Sequence, residues 1–233
     1  MNHGQHRHRE RTAAIQIDAE ALRHNLDRVR ELAPSSKVMA VIKANAYGHD
    51  VFTAASSLDK ADAFAVAMPG EAVALRRAGI TRPLVVLQGF ANSDELKLCA
   101  KYDLQPVVHQ QWQAELLYPA SRFSLDVWLK LDTGMHRLGV PVGAVDQAYQ
   151  ALKASAVVHN IRLMSHFANA DDPGHPLNNK QLELFSEVVS NYGAERSIAN
   201  SAAIISLADS HMEWVRPGIM LYGTSPLLGR SAQ

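Results

Sequence analysis

The chain has one cysteine in 233 residues, Cys99, so no internal disulfide can form. That excludes a disulfide-stapled secreted scaffold and makes a reducing cytoplasm the natural setting. It has no net charge either: lysine plus arginine and aspartate plus glutamate number 23 each. Nothing in that balance calls for a nucleic-acid or membrane-surface partner. No apolar run approaches the ~20 residues of a spanning helix, and no signal-peptide core follows Met1. A phosphate-cradling G-x-G-x-x-G after the first strand is missing, which counts against a Rossmann fold. No long low-complexity linker divides the chain. What remains is 47% hydrophobic and 20% charged, an ordinary soluble globular composition that can bury a core without staples. The polar, histidine-rich start "MNHGQHRHRE" sets residues 1–11 apart as a disordered or tag-like leader.

The rest alternates. "TAAIQI" (Thr12–Ile17) reads as a short strand, and Asp18 is placed to cap a helix over Ala19–Ala33, where Leu22, Leu26, Val29 and Leu32 recur at helical spacing before Pro34. Eight short apolar strand patterns come next: Lys37–Ile42, Ala63–Val66, Pro83–Gln88, Leu104–Val108, Leu125–Leu131, Asn160–His166, Arg196–Asn200 and Glu213–Gly218. Helical patterns separate them at Val51–Leu58, Gly70–Ala78, Ser93–Lys101, Gln111–Leu117, Ala144–Ala154, Lys180–Tyr192 and Ala202–Ala208. Crossovers of that length require parallel pairing. Eight such units in this length favour closure into a (β/α)8 TIM-type barrel over residues 12–226, preceded by the short strand.

In such barrels the site is built on the C-terminal ends of the strands. Lys43 stands there after the first barrel strand, with Asn45 and Tyr47 beyond it. An ammonium at the end of a buried strand must turn outward, find a partner, or have covalent work to do. "DTGMHRLG" after the fifth strand carries Arg137; "SHFANADD" after the sixth begins with Ser165 and His166. Asn200 and Ser201 come after the seventh, and Arg216 and Gly218 close the eighth. A lysine on strand one facing a phosphate-type loop pair after strands seven and eight is the arrangement that pyridoxal phosphate (PLP) needs. Blander readings stay open for each residue alone: a snorkelling Lys43, Arg137 paired with Asp132, Arg216 paired with Glu213. His166 with Asp171, Asp172 and His175 could be a metal set or a solvated turn. All these constellations fall on one predicted face.

The segments "AVIKANAYGH", "KLDTGMHRLGV", "SHFANAD", "ANSAA" and "VRPGIMLYG" resemble, in order and spacing, the signature segments of bacterial PLP-dependent alanine racemases, from about Ala13 to about Pro226. The resemblance implies that Lys43 is the internal-aldimine lysine and the proton carrier on one face of the substrate. Tyr47 and Ser201, with backbone N–H groups around Gly218 and Ile219, would hold the phosphate beside Asn200. Arg216, supported by His166, would face the pyridine nitrogen. Arg137 would reach the phenolic oxygen and help place the small amino-acid substrate, and Lys130 matches a lysine that is carbamylated in some members. An unmodified Lys130 paired with Asp132 is the simpler reading.

In that family the second proton carrier is a tyrosine from a C-terminal β-domain, contributed by the other subunit of a head-to-tail homodimer. This sequence ends at "TSPLLGRSAQ", where residues 227–233 read as the start of a linker to that domain. Tyr222 belongs to the eighth-strand motif and is not that base. One small departure is Asp50, where the family usually has glycine. The resemblance thus implies a cytoplasmic racemase supplying D-alanine for peptidoglycan. A single-barrel PLP-binding protein without turnover, or a racemase for another small amino acid such as serine, is the alternative. A decarboxylase of the same superfamily would place an acid, not Arg216, at the pyridine nitrogen.

Overall fold

The computed structural model describes residues 15–117 and 124–231. The leader at residues 1–11 and the first half of "TAAIQI" lie outside the described residues. Its second half, Ile15–Ile17, is not a strand, and Ile15 is 79% exposed. Among the described residues no strand pairs with it, and Ile17 packs against the core instead.

Helix α1 (Ala19–Leu32) begins where Asp18 accepts hydrogen bonds from the Glu20 and Ala21 amides, and buries Leu22, Leu26 and Val29. The barrel strands are β1 (Lys37–Val41), β2 (Ala63–Val66), β3 (Leu84–Val86), β4 (Gln105–Val108), β5 (Leu125–Asp132), β6 (Val158–Met164), β7 (Arg196–Ser197) and β8 (Trp214–Val215). All pair in parallel, in the order β7-β6-β5-β4-β3-β2-β1-β8, and a two-residue strand, Val140–Pro141, adds to β5. Among the described residues no ladder joins β7 to β8. That seam is closed by the Arg216 amide donating to Ala199 O, by Ser197 Oγ donating to Trp214 O at 2.8 Å, and by the Arg196–Glu213 pair at 2.7 Å. The intervening helices are α2 (Val51–Ser57), α3 (Pro69–Arg77), α4 (Ser93–Lys101), α5 (Gln111–Leu117), α6 (Val145–Ala154), α7 (Pro176–Val189) and α8 (Ser201–Ser206). None of the described helices is long and apolar enough to cross a membrane.

Alternation along the strands sends Val38, Ala40, Phe64, Val66, Leu84 and Val86 out to the helices. The opposite set, Met39, Val41, Ala63, Ala65, Val85, Val107, Trp128, Met164 and Trp214, fills the barrel. The small alanines of β2 leave room for the two tryptophans, which meet edge to face at 5.7 Å. Near the N-terminal strand ends, Arg162 bridges Asp126 and Glu195 (3.0 and 2.7 Å), and Glu195 also takes Lys37 and the Trp214 indole. This closes the floor of the barrel and leaves the C-terminal face for a site.

Two elements start at least two residues earlier than their patterns predict. Helix α7 begins at Pro176 rather than Lys180, because proline suits the first helical position and His175 caps it through the Leu177 amide. Strand β6 runs from Val158 and ends at Met164, so Ser165 and His166 leave the ladder and enter the loop above the barrel.

Candidate active site

The segment after β1 does not form an ordinary loop. Ala44, Asn45, Ala46 and Tyr47 have φ of 52°, 54°, 54° and 55°, a turn of left-handed helix without glycine. Each such residue costs about 1–2 kcal/mol relative to the right-handed form. The turn closes through its own backbone, with the Ala46 amide on Ile42 O and the Gly48 amide on Ala44 O and Asn45 O. It brings Lys43 and Tyr47 onto one side, with the ammonium 5.9 Å from the ring centroid. Burial first, then the Arg137 charge, lower the Lys43 pKa, and Glu71 opposes them.

Arg216, just past β8, is 5% exposed, yet no carboxylate pairs with it among the described residues. Glu213 is taken by Arg196 instead. Neutral groups hold the guanidinium: it donates to Ser197 Oγ and Ser165 O, both at 2.6 Å, and lies 3.3 Å from His166 Nδ1. Burial lowers its pKa to about 10, so it stays cationic at neutral pH. His166 is pushed well below its ordinary value by burial and by Arg216, so it is neutral and its Nδ1 accepts. Gln181 of α7, unforeseen in the sequence, fixes this loop by donating to His166 O (3.0 Å) and accepting the Ala168 amide (2.9 Å). His166 does not gather with Asp171, Asp172 and His175 into a metal site; no such cluster occurs among the described residues.

Lys130 is buried on β5, and burial followed by the Arg216 and Arg137 charges lowers its pKa to about 8. Asp132 pairs with His136 at 3.0 Å rather than with Lys130 or Arg137. At the other end of the cavity the Ser201 hydroxyl accepts the Gly218 amide at 2.8 Å, which leaves its own O–H free to donate. A side chain on Gly218 would meet the Tyr47 hydroxyl at 2.6 Å. Asn200 caps α8 through the Ala203 amide.

Lys43, Tyr47, Lys130, Arg137, His166, Asn200, Ser201, Arg216, Gly218 and Ile219 all line one cavity of about 970 Å³. Four of these are cations, and Asp171 is the single carboxylate among the lining residues. Four convergent cations with no carboxylate partner among the described residues suit a ligand that carries a phosphate and a carboxylate. Gln88, His109, Trp112 and Gln113 line the opposite wall. His109 directly follows β4, so the strand-end rule that singles out Lys43 would have found it.

Such a barrel, with a lysine and a cationic cavity on its C-terminal face, is of the class that can seat an anionic ligand beside a reactive amine. Residues 17–226 match the family model "Alanine racemase, N-terminal domain", and the chain belongs to that family. It is 49% identical over 227 residues to the alanine racemase of Thioalkalivibrio sulfidiphilus, covering 96% of this chain and 63% of the relative. The biosynthetic alanine racemase of Pseudomonas aeruginosa superposes with a TM-score of 0.89 at 40% identity, over 93% of this chain and 61% of that one. An alanine racemase from Bartonella henselae, solved with covalently bound pyridoxal phosphate, gives 0.81 at 29% identity, over 90% and 63%. The chain therefore spans about three fifths of the length of these relatives.

Proposed function

We propose that this chain is the cofactor-binding part of a cytoplasmic, PLP-dependent alanine racemase that interconverts L- and D-alanine and supplies D-alanine for the cell wall. The observation that carries this reading is the convergence of Lys43, Tyr47, Ser201, Arg137 and Arg216 on one cavity. PLP, when bound, withdraws electrons from an amino acid joined to its aldehyde carbon and so acidifies the Cα–H.

The chain's own groups supply the rest. Lys43 would hold the aldehyde and, released by the incoming amine, carry a proton to or from Cα on one face. Its lowered pKa keeps a larger neutral, nucleophilic fraction near neutral pH. Arg216, fixed by Ser197, Ser165 and neutral His166, would donate to the ring nitrogen and keep a proton off it. That limits electron withdrawal and disfavours side reactions. Tyr47, the Ser201 hydroxyl and the Ile219 amide would hold the phosphate beside Asn200 and Gly218. Arg137 would take the phenolic oxygen and the substrate carboxylate. Lys130, with a pKa of about 8, has the neutral fraction that takes up CO2 to give a carbamate and a proton, turning its charge negative beside Arg137. Family resemblance supports a head-to-tail homodimer in which the second face is served by a tyrosine of the C-terminal domain.

Reduction with borohydride in the presence of PLP, followed by peptide mapping, is expected to place the pyridoxyl label on Lys43. A label on Lys130, or no label, would overturn the assignment.

A further inference from the structure

The left-handed turn that carries Lys43 needs more than its own backbone to persist. Asn45 Oδ1 accepts the Val51 amide at 2.9 Å, and His49 Nδ1 lies 3.1 Å from Ala46 O and 3.2 Å from Tyr47 O. Those contacts are internal to the segment. From outside it Tyr222 packs on the Tyr47 and His49 rings, and among the described residues the side-chain hydrogen bond to the segment's backbone comes from Glu71, the third residue of α3. Its Oε1 accepts the Ala44 amide at 2.7 Å, while Oε2 accepts the Ala67 amide at 2.7 Å and the Met68 amide at 3.1 Å. Reaching back to Met68 and Ala67 is what a glutamate at that helical position does to complete a cap. The bond to Ala44 is not part of any cap. It joins the turn after β1 to the turn after β2, and Ala67 itself lines the cavity.

We infer that Glu71 is a positioning residue for Lys43: its carboxylate pins the amide that follows Lys43 to the β2–α3 loop and thereby sets where the lysine amine meets its ligand. The inference rests on Lys43 being the PLP lysine, as proposed above. Two features make a carboxylate the right group. A carboxylate accepts at both oxygens and can serve three amides, whereas a glutamine must turn its NH2 toward at least one of them. It is also the negative charge that opposes the depression of Lys43 by burial and Arg137.

The test compares wild type, Glu71→Gln and Glu71→Asp in this chain, after circular dichroism has shown each to be folded. Amide hydrogen exchange is followed separately over 43–49 and 67–71, and borohydride-trapped label on Lys43 is measured against PLP concentration and pH. In Glu71→Gln, exchange at Ala44 should rise at least about tenfold, the scale of one hydrogen bond to a charged acceptor. The PLP concentration for half-maximal labelling should rise by a similar factor, and the pH dependence of labelling should move to lower pH. Glu71→Asp, one methylene shorter with its charge intact, should restore the pH dependence and part of the protection. It also keeps the test open if the glutamine variant does not fold. Unchanged Ala44 exchange in a folded Glu71→Gln protein overturns the inference. So does faster exchange with unchanged half-saturation, which would make Glu71 a cap and nothing more. If wild type carries no label on Lys43, the PLP reading fails instead, and the exchange experiment still decides whether Glu71 clamps the turn.

Discussion

Replacing Gly218 with alanine tests the phosphate end of the cavity through one contact. Gly218 has a φ of −126°, outside the left-handed region, so space rather than handedness restricts this position. The added Cβ would lie 2.6 Å from the Tyr47 hydroxyl, 3.3 Å from its Cζ and 3.6 Å from Val41 Cβ. Only the first of these is far inside contact distance, and relieving it requires the hydroxyl to retreat by most of an ångström. Tyr47 has little freedom to do so. Its ring packs 5.0 Å from that of Tyr222, whose hydroxyl is anchored on Val41 O at 3.0 Å. Overpacking of this kind costs about 1–3 kcal/mol. If Tyr47 is a phosphate ligand, that cost falls on binding, and PLP affinity should drop about ten- to a hundredfold. Tyr47→Phe alone should weaken PLP by loss of one hydrogen bond to a charged group, about 1.5–3 kcal/mol. Tyr47→Phe also removes the clashing atom, so Gly218→Ala should cost little more in that background. A double-mutant cycle, read by fluorescence titration with PLP and by Tm, should therefore show a coupling of at least about 1 kcal/mol. Additive effects would refute the reasoning, as would wild-type PLP affinity in Gly218→Ala.

The barrel floor predicts an acid limit to stability. Burial would raise the Glu195 pKa, but bonds from Lys37, Trp214 and Arg162 outweigh it and hold the group at about 2 against an ordinary 4.5. A depressed carboxylate contributes stability that is complete above the unfolded value and lost as pH falls from about 4.5 toward 2. Glu195→Gln should be less stable than wild type at pH 7 and lose less of its stability across that window. Parallel stability-versus-pH curves from denaturant titration would count against the network. At Asp50, φ is 60° and ψ is 109°, a backbone that glycine adopts more readily, while the side chain caps α2 through the Thr53 amide at 2.8 Å. Glycine is only slightly the poorer cap and relieves the strain, so Asp50→Gly should raise Tm. A fall in Tm would mean that the cap outweighs the strain.

Much of the site was legible because strand ends are legible. The apolar runs that define β1, β5 and β6 locate the residues just beyond them, and in a parallel barrel the residues past a strand's C-terminal end face the site. Lys43, Arg137 and His166 are placed by that logic, and so is Asn200 after the seventh strand pattern. Helices α4 and α5 match their patterns residue for residue, because their apolar spacing and, for α4, the Asn92 cap are local signals. Strands β7 and β8 are legible only in part: each keeps two residues in a ladder, and the seam between them depends on side chains brought together across the barrel.

Partner choice was decided by tertiary structure. Glu213 stands near Arg216 in sequence and is taken by Arg196 across the seam, whereas Asp132 is taken locally, by His136 next to Arg137. Gln181 reaches His166 from α7, and Glu71 reaches Ala44 from α3, over separations that no local pattern reports. The left-handed turn after β1 is the clearest case. Alanine and tyrosine have no intrinsic reason to adopt it, Asn45 alone tolerates it, and a right-handed turn would be cheaper locally. Sequence placed the lysine at the strand end; the fold supplies a left-handed turn, joined to α3 through the Ala44 amide on Glu71, that sets Lys43 and Tyr47 on the same cavity.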